Sequence, residues 1–207
     1  YTYLTSASSV YVTSSDGNDA PAGTGARQVE VQGLDENYAL TTETIDIDDG
    51  ASTTTFIRVF RVSVTSVGSG GQAAGIISVR SASGGGGTLL AQILKVGTGG
   101  GASLGQTFMA IYTVPAGYTA YLTQWTIGAG GQNADTTAFF MARPFGGAFN
   151  SKDIVISAGS QYSKNYIVPL KFTEKTDIEV RAFTSSSGND CSSTFNLIII
   201  DTTYINP

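Results

Sequence analysis

Short runs in which β-branched and aromatic residues alternate with polar ones recur along this chain, and Gly, Asn, Asp, Ser or Pro interrupts them about every ten to fifteen residues. The stretch R-Q-V-E-V-Q over 27 to 32 shows the rule. Val29 and Val31 project to one side and Gln28, Glu30 and Gln32 to the other, the two-residue period of a strand with one wet face. No stretch of about ten residues keeps the period of a helix. Long helices draw on Ala, Leu, Glu, Lys, Gln and Arg; this chain spends its residues on Thr, Val, Ile, Tyr, Phe and 26 Gly.

The alternation predicts about a dozen strands. They are Val10 to Ser14, Arg27 to Gln32, Leu40 to Ile47, Phe56 to Val67, Ile76 to Ser81, Leu89 to Val96, Phe108 to Val114, Tyr118 to Ile127, Ala138 to Arg143, Asp153 to Ser157, Tyr166 to Phe172, Ile178 to Phe183 and Phe195 to Ile200. The turn Gly33 to Asn37 folds the second and third into a hairpin, and Asp48-Asp49-Gly50 closes the third. Within Phe56 to Val67 the alternation breaks phase near Phe60-Arg61, which marks a bulge or a switch between sheets. Val114-Pro115-Ala116-Gly117-Tyr118 is a tight connection, Pro ending one ladder and Gly supplying the turn. Regular alternation after it puts Trp125 with Tyr121 and Thr123 on a core face, opposite Leu122 and Gln124. The run Leu197 to Ile200 predicts a buried strand.

The resulting expectation is an all-β, two-sheet antiparallel sandwich, jelly-roll-like, forming a single domain over 1–207. Chains of 207 residues with this vocabulary commonly form one domain, and no charged or Pro-rich linker interrupts the strands. Gly-rich runs at 84 to 87 and 97 to 101 flank Leu89 to Val96 as projecting loops. S-V-G-S-G-G-Q at 66 to 72 and T-I-G-A-G-G-Q at 126 to 132 are alike, and two readings stand: coincidence in a Gly-rich chain, or two similar Greek-key halves.

Composition narrows the chemistry. There is no His, which removes the commonest general base, metal ligand and partner of a nucleophilic Ser or Cys. The single cysteine, Cys191, forms no internal disulfide, supplies no multi-Cys zinc site, and is expected to be a small buried or inert thiol. With 11 basic against 16 acidic residues and a net charge of −5, the chain has no phosphate-binding footprint, so no nucleic acid is expected as partner. No apolar run is long enough to span a bilayer as a helix, so no membrane partner is expected either. The chain begins at Tyr1 rather than Met, implying a removed initiator or a longer N-terminal segment, and no targeting signal is read from it.

Asp46, Asp48, Asp49 and Glu43, and separately Asp16-Gly17-Asn18-Asp19, offer oxygen ligands of the kind Ca²⁺ takes, but neither has a Ca²⁺-loop spacing and both suit turns. Glu30, Glu43, Glu174, Asp177 and Glu179, the carboxylates a glycosidase would need in pairs, fall on predicted solvated strand faces. The expectation is no catalytic residue, no cofactor and no metal. Among the 10 Tyr, 10 Phe and Trp125, most are core; Tyr1, Tyr3, Tyr11 and Tyr204, near the ends of the chain, are candidate assembly contacts on N- and C-terminal arms.

Three segments carry a resemblance: Y-T-V-P-A-G-Y-T-A-Y-L-T at 112 to 123, R-P-F-G-G-A-F at 143 to 149 and F-T-E-K-T-D-I-E-V-R-A at 172 to 182, with A-G-T-G-A-R-Q-V-E-V-Q-G-L-D at 22 to 35 in support. Their order and spacing resemble a family of virion structural proteins of tailed bacteriophages, especially marine and cyanobacterial ones. The resemblance implies a jelly-roll module in the virion, a non-enzymatic capsid decoration or cement protein. Its partners would be other copies of itself, as a homotrimer, and a major capsid or other virion protein. The alternative it implies is a tail-fibre or receptor-binding module recognising host-surface glycans. It transfers no functional residue.

Overall fold

A computed structural model describes residues 1–96, 101–130, 135–185 and 191–204, the side chain of Ala158 excepted. The chain divides into two compact units, Tyr1–Met109 and Ala110–Pro207. Where sequence predicts one sandwich, each unit closes its own core. The boundary falls inside Phe108 to Val114, which sequence reads as one strand; only Ile111–Thr113 pairs. That run of strand-forming residues contains no Gly, Pro or charge to announce a break. Among the described residues no helix is long and apolar enough to cross a membrane.

The first unit contains β1 (Ser8–Ser14), β2 (Ala26–Leu34), β3 (Leu40–Asp46), β4 (Ala51–Phe56), β5 (Arg58–Val67), β6 (Ile77–Arg80) and β7 (Leu89–Ile93). Its two antiparallel sheets have the orders β4-β1-β6-β7 and β3-β2-β5. Val10, Val12, Phe56, Ile77 and Val79 from one meet Val29, Val31, Val59 and Val62 from the other in a single core. The chain passes between sheets at Ile57, where β4 ends and β5 begins. In addition, Gln32 pairs with Arg61 and Gly33 with Val59, so Phe60 is the extra residue of a bulge. Both devices proposed for this stretch are therefore present, a few residues apart. Gly33 is required where β2 passes this corner, because a Cβ there would lie 1.9 Å from the Arg58 carbonyl oxygen.

The second unit contains β8 (Ile111–Thr113), β9 (Tyr118–Ala129), β10 (Asp135–Arg143), β11 (Asn150–Ala158), β12 (Gln161–Phe172), β13 (Asp177–Thr184) and β14 (Cys191–Asp201), followed by a 3-10 turn at Thr202–Tyr204. Its sheets run β11-β10-β13-β8 and β12-β9-β14, antiparallel throughout. Trp125, Phe140, Leu122, Ile127, Phe172 and Ile178 fill the core between them. Both units are thus antiparallel β-sandwiches, but their strand orders differ. The two Gly-Gly-Gln segments follow the fifth strand of one unit and the second of the other, and Gly131 and Gln132 lie outside the described residues.

Two sequence expectations about β9 and β14 are corrected. Leu122 and Trp125 are both fully buried, while Tyr121 and Thr123 are only partly so. Gln124 pairs with Asn196 and Leu122 with Leu197, leaving Thr123 as a bulged residue that resets the phase. Leu197 to Ile200 is not a fully buried run: β14 is an edge strand, and its side chains alternate, with Ile198 exposed.

On the other edge of that sheet the disruption is larger. Asn165 pairs with Gln124 and Leu170 with Leu122, so residues 166 to 169 of β12 stand opposite Thr123 alone. Ile167 projects from this bulge 100% exposed, next to Val168 and Pro169.

Candidate functional site

The three segments that carry the family resemblance meet at one end of the second unit. Pro115, Ala116 and Gly117 turn the chain into β9, with Gly117 at φ 77° and the Tyr118 N–H donating to the Pro115 carbonyl at 3.2 Å. Gly117 N–H donates to Glu174 Oε2 at 2.6 Å, and Lys175 N–H to the Val114 carbonyl at 2.7 Å, which ties the first segment to the third. Arg143 opens the second segment and joins the third through Asp177, donating from Nε at 3.0 Å and from Nη2 at 2.6 Å to Oδ2. Thr113 Oγ1 donates to the other oxygen at 2.6 Å.

Asp177 and Glu179 are both buried, which corrects their placement on solvated faces. They lie on one face of β13, and each has a guanidinium: Arg143 on Asp177, Arg181 on Glu179. Phe149 lies under both cations, 4.6 Å from Arg143 and 5.1 Å from Arg181 by ring centroid. The ion pairs and the Thr113 hydrogen bond tie both carboxylates to the segments around them. Phe145, in contrast, is exposed at the turn formed by Pro144 to Gly147, with Lys175 Nζ 5.3 Å from its ring.

A second polar cluster joins the adjoining edges of the two sheets. Asp153 of β11 accepts from Lys164 Nζ at 2.6 Å and Tyr166 Oη at 2.7 Å, both on β12. Burial pushes the Asp153 carboxyl up, but the hydrogen bonds from Lys164, Tyr166 and the Ile154 N–H prevail and hold it below its usual value. The hydrogen bond to Asp153 raises Lys164, and burial followed by the same carboxylate raises Tyr166. The cluster is a clasp between sheets.

The Asp16 to Asp19 loop is organised around a carboxylate with no capacity left for a cation. Asp19 is fully buried; Oδ1 accepts from the N–H groups of Ala26 (2.7 Å) and Ala74 (2.8 Å), and Oδ2 from Ser14 Oγ (2.6 Å) and the Gly75 N–H (2.7 Å). Burial works to raise its pKa; the four hydrogen bonds together lower it. Glu43 is committed as well, accepting from Thr53 N–H and Oγ1 and from Thr54 N–H, which places β4 against β3. Glu30 accepts from Gln32 Nε2 at 2.6 Å. No three His, Cys, Asp or Glu side chains among the described residues group as a metal site.

Of the four terminal tyrosines, two are anchored by their own chain. Arg58, almost fully buried, donates from Nη1 to the carbonyls of Leu4 at 2.9 Å and Ile57 at 2.7 Å, and lies 4.9 Å from the Tyr3 ring. Tyr1 packs edge-on against Tyr3 and its Oη accepts the Val59 N–H at 3.0 Å. Tyr11 is half-buried in β1, and Tyr204 is 83% exposed. Cys191 is exposed rather than buried, its thiol raised by the protein around it; it borders a shallow cavity of about 400 Å³ with Gly128, Ala129, Gly159, Ser160 and Gln161.

The feature absent from the sequence reading is the outer face of β11-β10-β13. Ile156 pairs with Thr137 and Thr137 with Phe183; Ile154 pairs with Phe139 and Phe139 with Arg181. Directly paired residues share a face, and here Ile156 is 69%, Phe183 63% and Ile154 53% exposed. Comparisons of the chain with protein-family models, with curated proteins and with solved structures return no match.

Proposed function

We propose that the chain is a non-enzymatic structural protein of a tailed-bacteriophage virion, a decoration or cement module that works by packing against copies of itself and a shell protein. The observation that carries this reading is the outward placement of Ile154, Ile156 and Phe183 on a sheet whose other face is already covered by a core. An apolar patch of this kind, rimmed by polar residues, is characteristic of a protein interface. The commitment of Asp19, Asp153, Asp177 and Glu179 to internal hydrogen bonds and ion pairs also favours assembly over catalysis. The virion address rests on the resemblance of the segments at 112 to 123, 143 to 149 and 172 to 182.

A second reading has its own observation. Phe145, an exposed ring beside Lys175 on a projecting turn, suits stacking on a sugar, as a tail-fibre or receptor-binding module requires. Cryo-electron microscopy of the purified particle separates the two. Density for this fold repeated over the head supports decoration; density only at the tail, together with glycan binding lost in Phe145→Ala, supports the second.

A further inference from the structure

Two Asp-Gly dipeptides occur in the chain, Asp16-Gly17 after β1 and Asp49-Gly50 between β3 and β4. Such a pair is chemically labile, because glycine has no side chain to keep its nitrogen from the aspartyl carboxyl group. Both glycines stand in open space, a Cβ at either meeting nothing within 4 Å. The two carboxylates differ. Asp16 Oδ1 accepts from the Asn18 N–H and from Asn18 Nδ2, both at 2.9 Å, and the Asp16 carbonyl accepts the Asp19 N–H at 3.0 Å. This Asx turn aims the carboxylate past Gly17, and the buried Asp19 fixes its far end. Asp49 is exposed, and no hydrogen bond or ion pair within the described residues engages its carboxylate or the Gly50 N–H. The connection is anchored on both sides, by the Asp48 N–H on the Val12 carbonyl at 3.0 Å and by Ala51 opposite Tyr11, with Asp49 and Gly50 left between.

We infer that Asp49-Gly50 is a site of spontaneous isoaspartate formation in the folded protein, and that the fold protects Asp16-Gly17 from the same reaction. The Gly50 nitrogen attacks Cγ of the Asp49 carboxyl group; a C–N bond forms, a C–O bond breaks, and the hydroxyl leaves as water with the amide proton. The cyclic succinimide then takes up one water. Addition at Cγ restores aspartate, whereas addition at the main-chain carbonyl leaves Gly50 joined through Cγ, so that Cβ enters the backbone. Nothing is oxidised or reduced, and the mass is unchanged. The inserted methylene falls in the connection between β3 and β4, which belong to different sheets. At Asp16 the same ring closure must first break the Asx turn, giving up both hydrogen bonds from Asn18.

The test is prolonged incubation of the full chain at neutral pH and physiological temperature, then unfolding, tryptic digestion and electron-transfer mass spectrometry, which distinguishes isoaspartate from aspartate. Cleavage after Arg27 and Arg58 puts the two sites in separate peptides, 1–27 and 28–58. In the folded chain isoaspartate should accumulate severalfold faster at position 49 than at position 16, and in urea the two rates should converge. Asp49→Glu, whose longer side chain would have to close a larger ring, should lose the signal from peptide 28–58, with a thermal melt to confirm folding. No gain at position 49, or an equal gain at position 16 in the folded chain, overturns the inference. So does a difference that persists unchanged in urea, since local sequence rather than the fold would then cause it. The outcome is independent of whether the protein belongs to a virion.

Discussion

Asp19 and Gly75 are joined by a 2.7 Å hydrogen bond from the Gly75 N–H to Oδ2, so one carboxylate ties the loop after β1 to the loop before β6. The same carboxylate also accepts the N–H groups of Ala26 and Ala74. Asp19→Ala leaves three backbone donors without their acceptor, and buried donors of that kind are costly to orphan. The expected loss is on the order of 3 to 5 kcal/mol, read by urea denaturation, with faster amide exchange at Ala26, Ala74 and Gly75.

Stability should fall as the pH drops below about 4. Asp19, Glu43 and Asp153 are all held below their ordinary values in the folded chain. Between the folded and unfolded values the unfolded chain binds more protons, so stability rises with pH through that window and is lost as pH falls through the folded values. No His titrates between pH 5 and 8. Urea midpoints should therefore be nearly level over that range and decline below it, with Asp19→Asn flattening the acid limb.

Trp125, the only tryptophan, is fully buried against Phe140 and donates from Nε1 to Ser193 Oγ at 3.1 Å. Its fluorescence should report unfolding of the second unit, shifting red as the ring meets water. Trp125→Phe fills part of the space and should cost about 1 to 3 kcal/mol; Ser193→Ala, which strands the indole N–H, should cost about 1 to 2 kcal/mol.

Arg143→Ala should destabilise the second unit by about 3 kcal/mol, because Asp177 stays buried with its guanidinium gone. The double variant Arg143→Met with Asp177→Leu should recover a large part of that loss, since it removes both charges together. Thermal melts of the two variants against wild type distinguish a costly orphaned charge from a pair that itself stabilises the fold.

Much of this architecture is legible in sequence because its signals are local. The two-residue period identifies the strands, the break near Phe60-Arg61 lies within a few residues of both the sheet switch and the bulge, and Pro115 to Gly117 announces its turn. What is missed depends on distant partners. Nothing in Y-L-T-Q-W marks Thr123 as bulged, since the extra residue is set by where Asn196 and Leu197 pair. Asp177 and Glu179 look solvated until Arg143, Arg181 and Phe149 are folded over them. In I-V-I at 154 to 156 all three residues are apolar, so the alternation that elsewhere separates core from surface is silent on which side stays bare.

The bulge in β12 limits how such a molecule can grow. A regular sheet edge is a template on which further strands add without end, the route to fibres. Over residues 166 to 169 the pairing with β9 is lost, and Pro169 has no N–H to offer an incoming strand. Ribbon-like propagation from this edge is thereby frustrated, so the irregular stretch of β12 protects the sheet against open-ended strand addition.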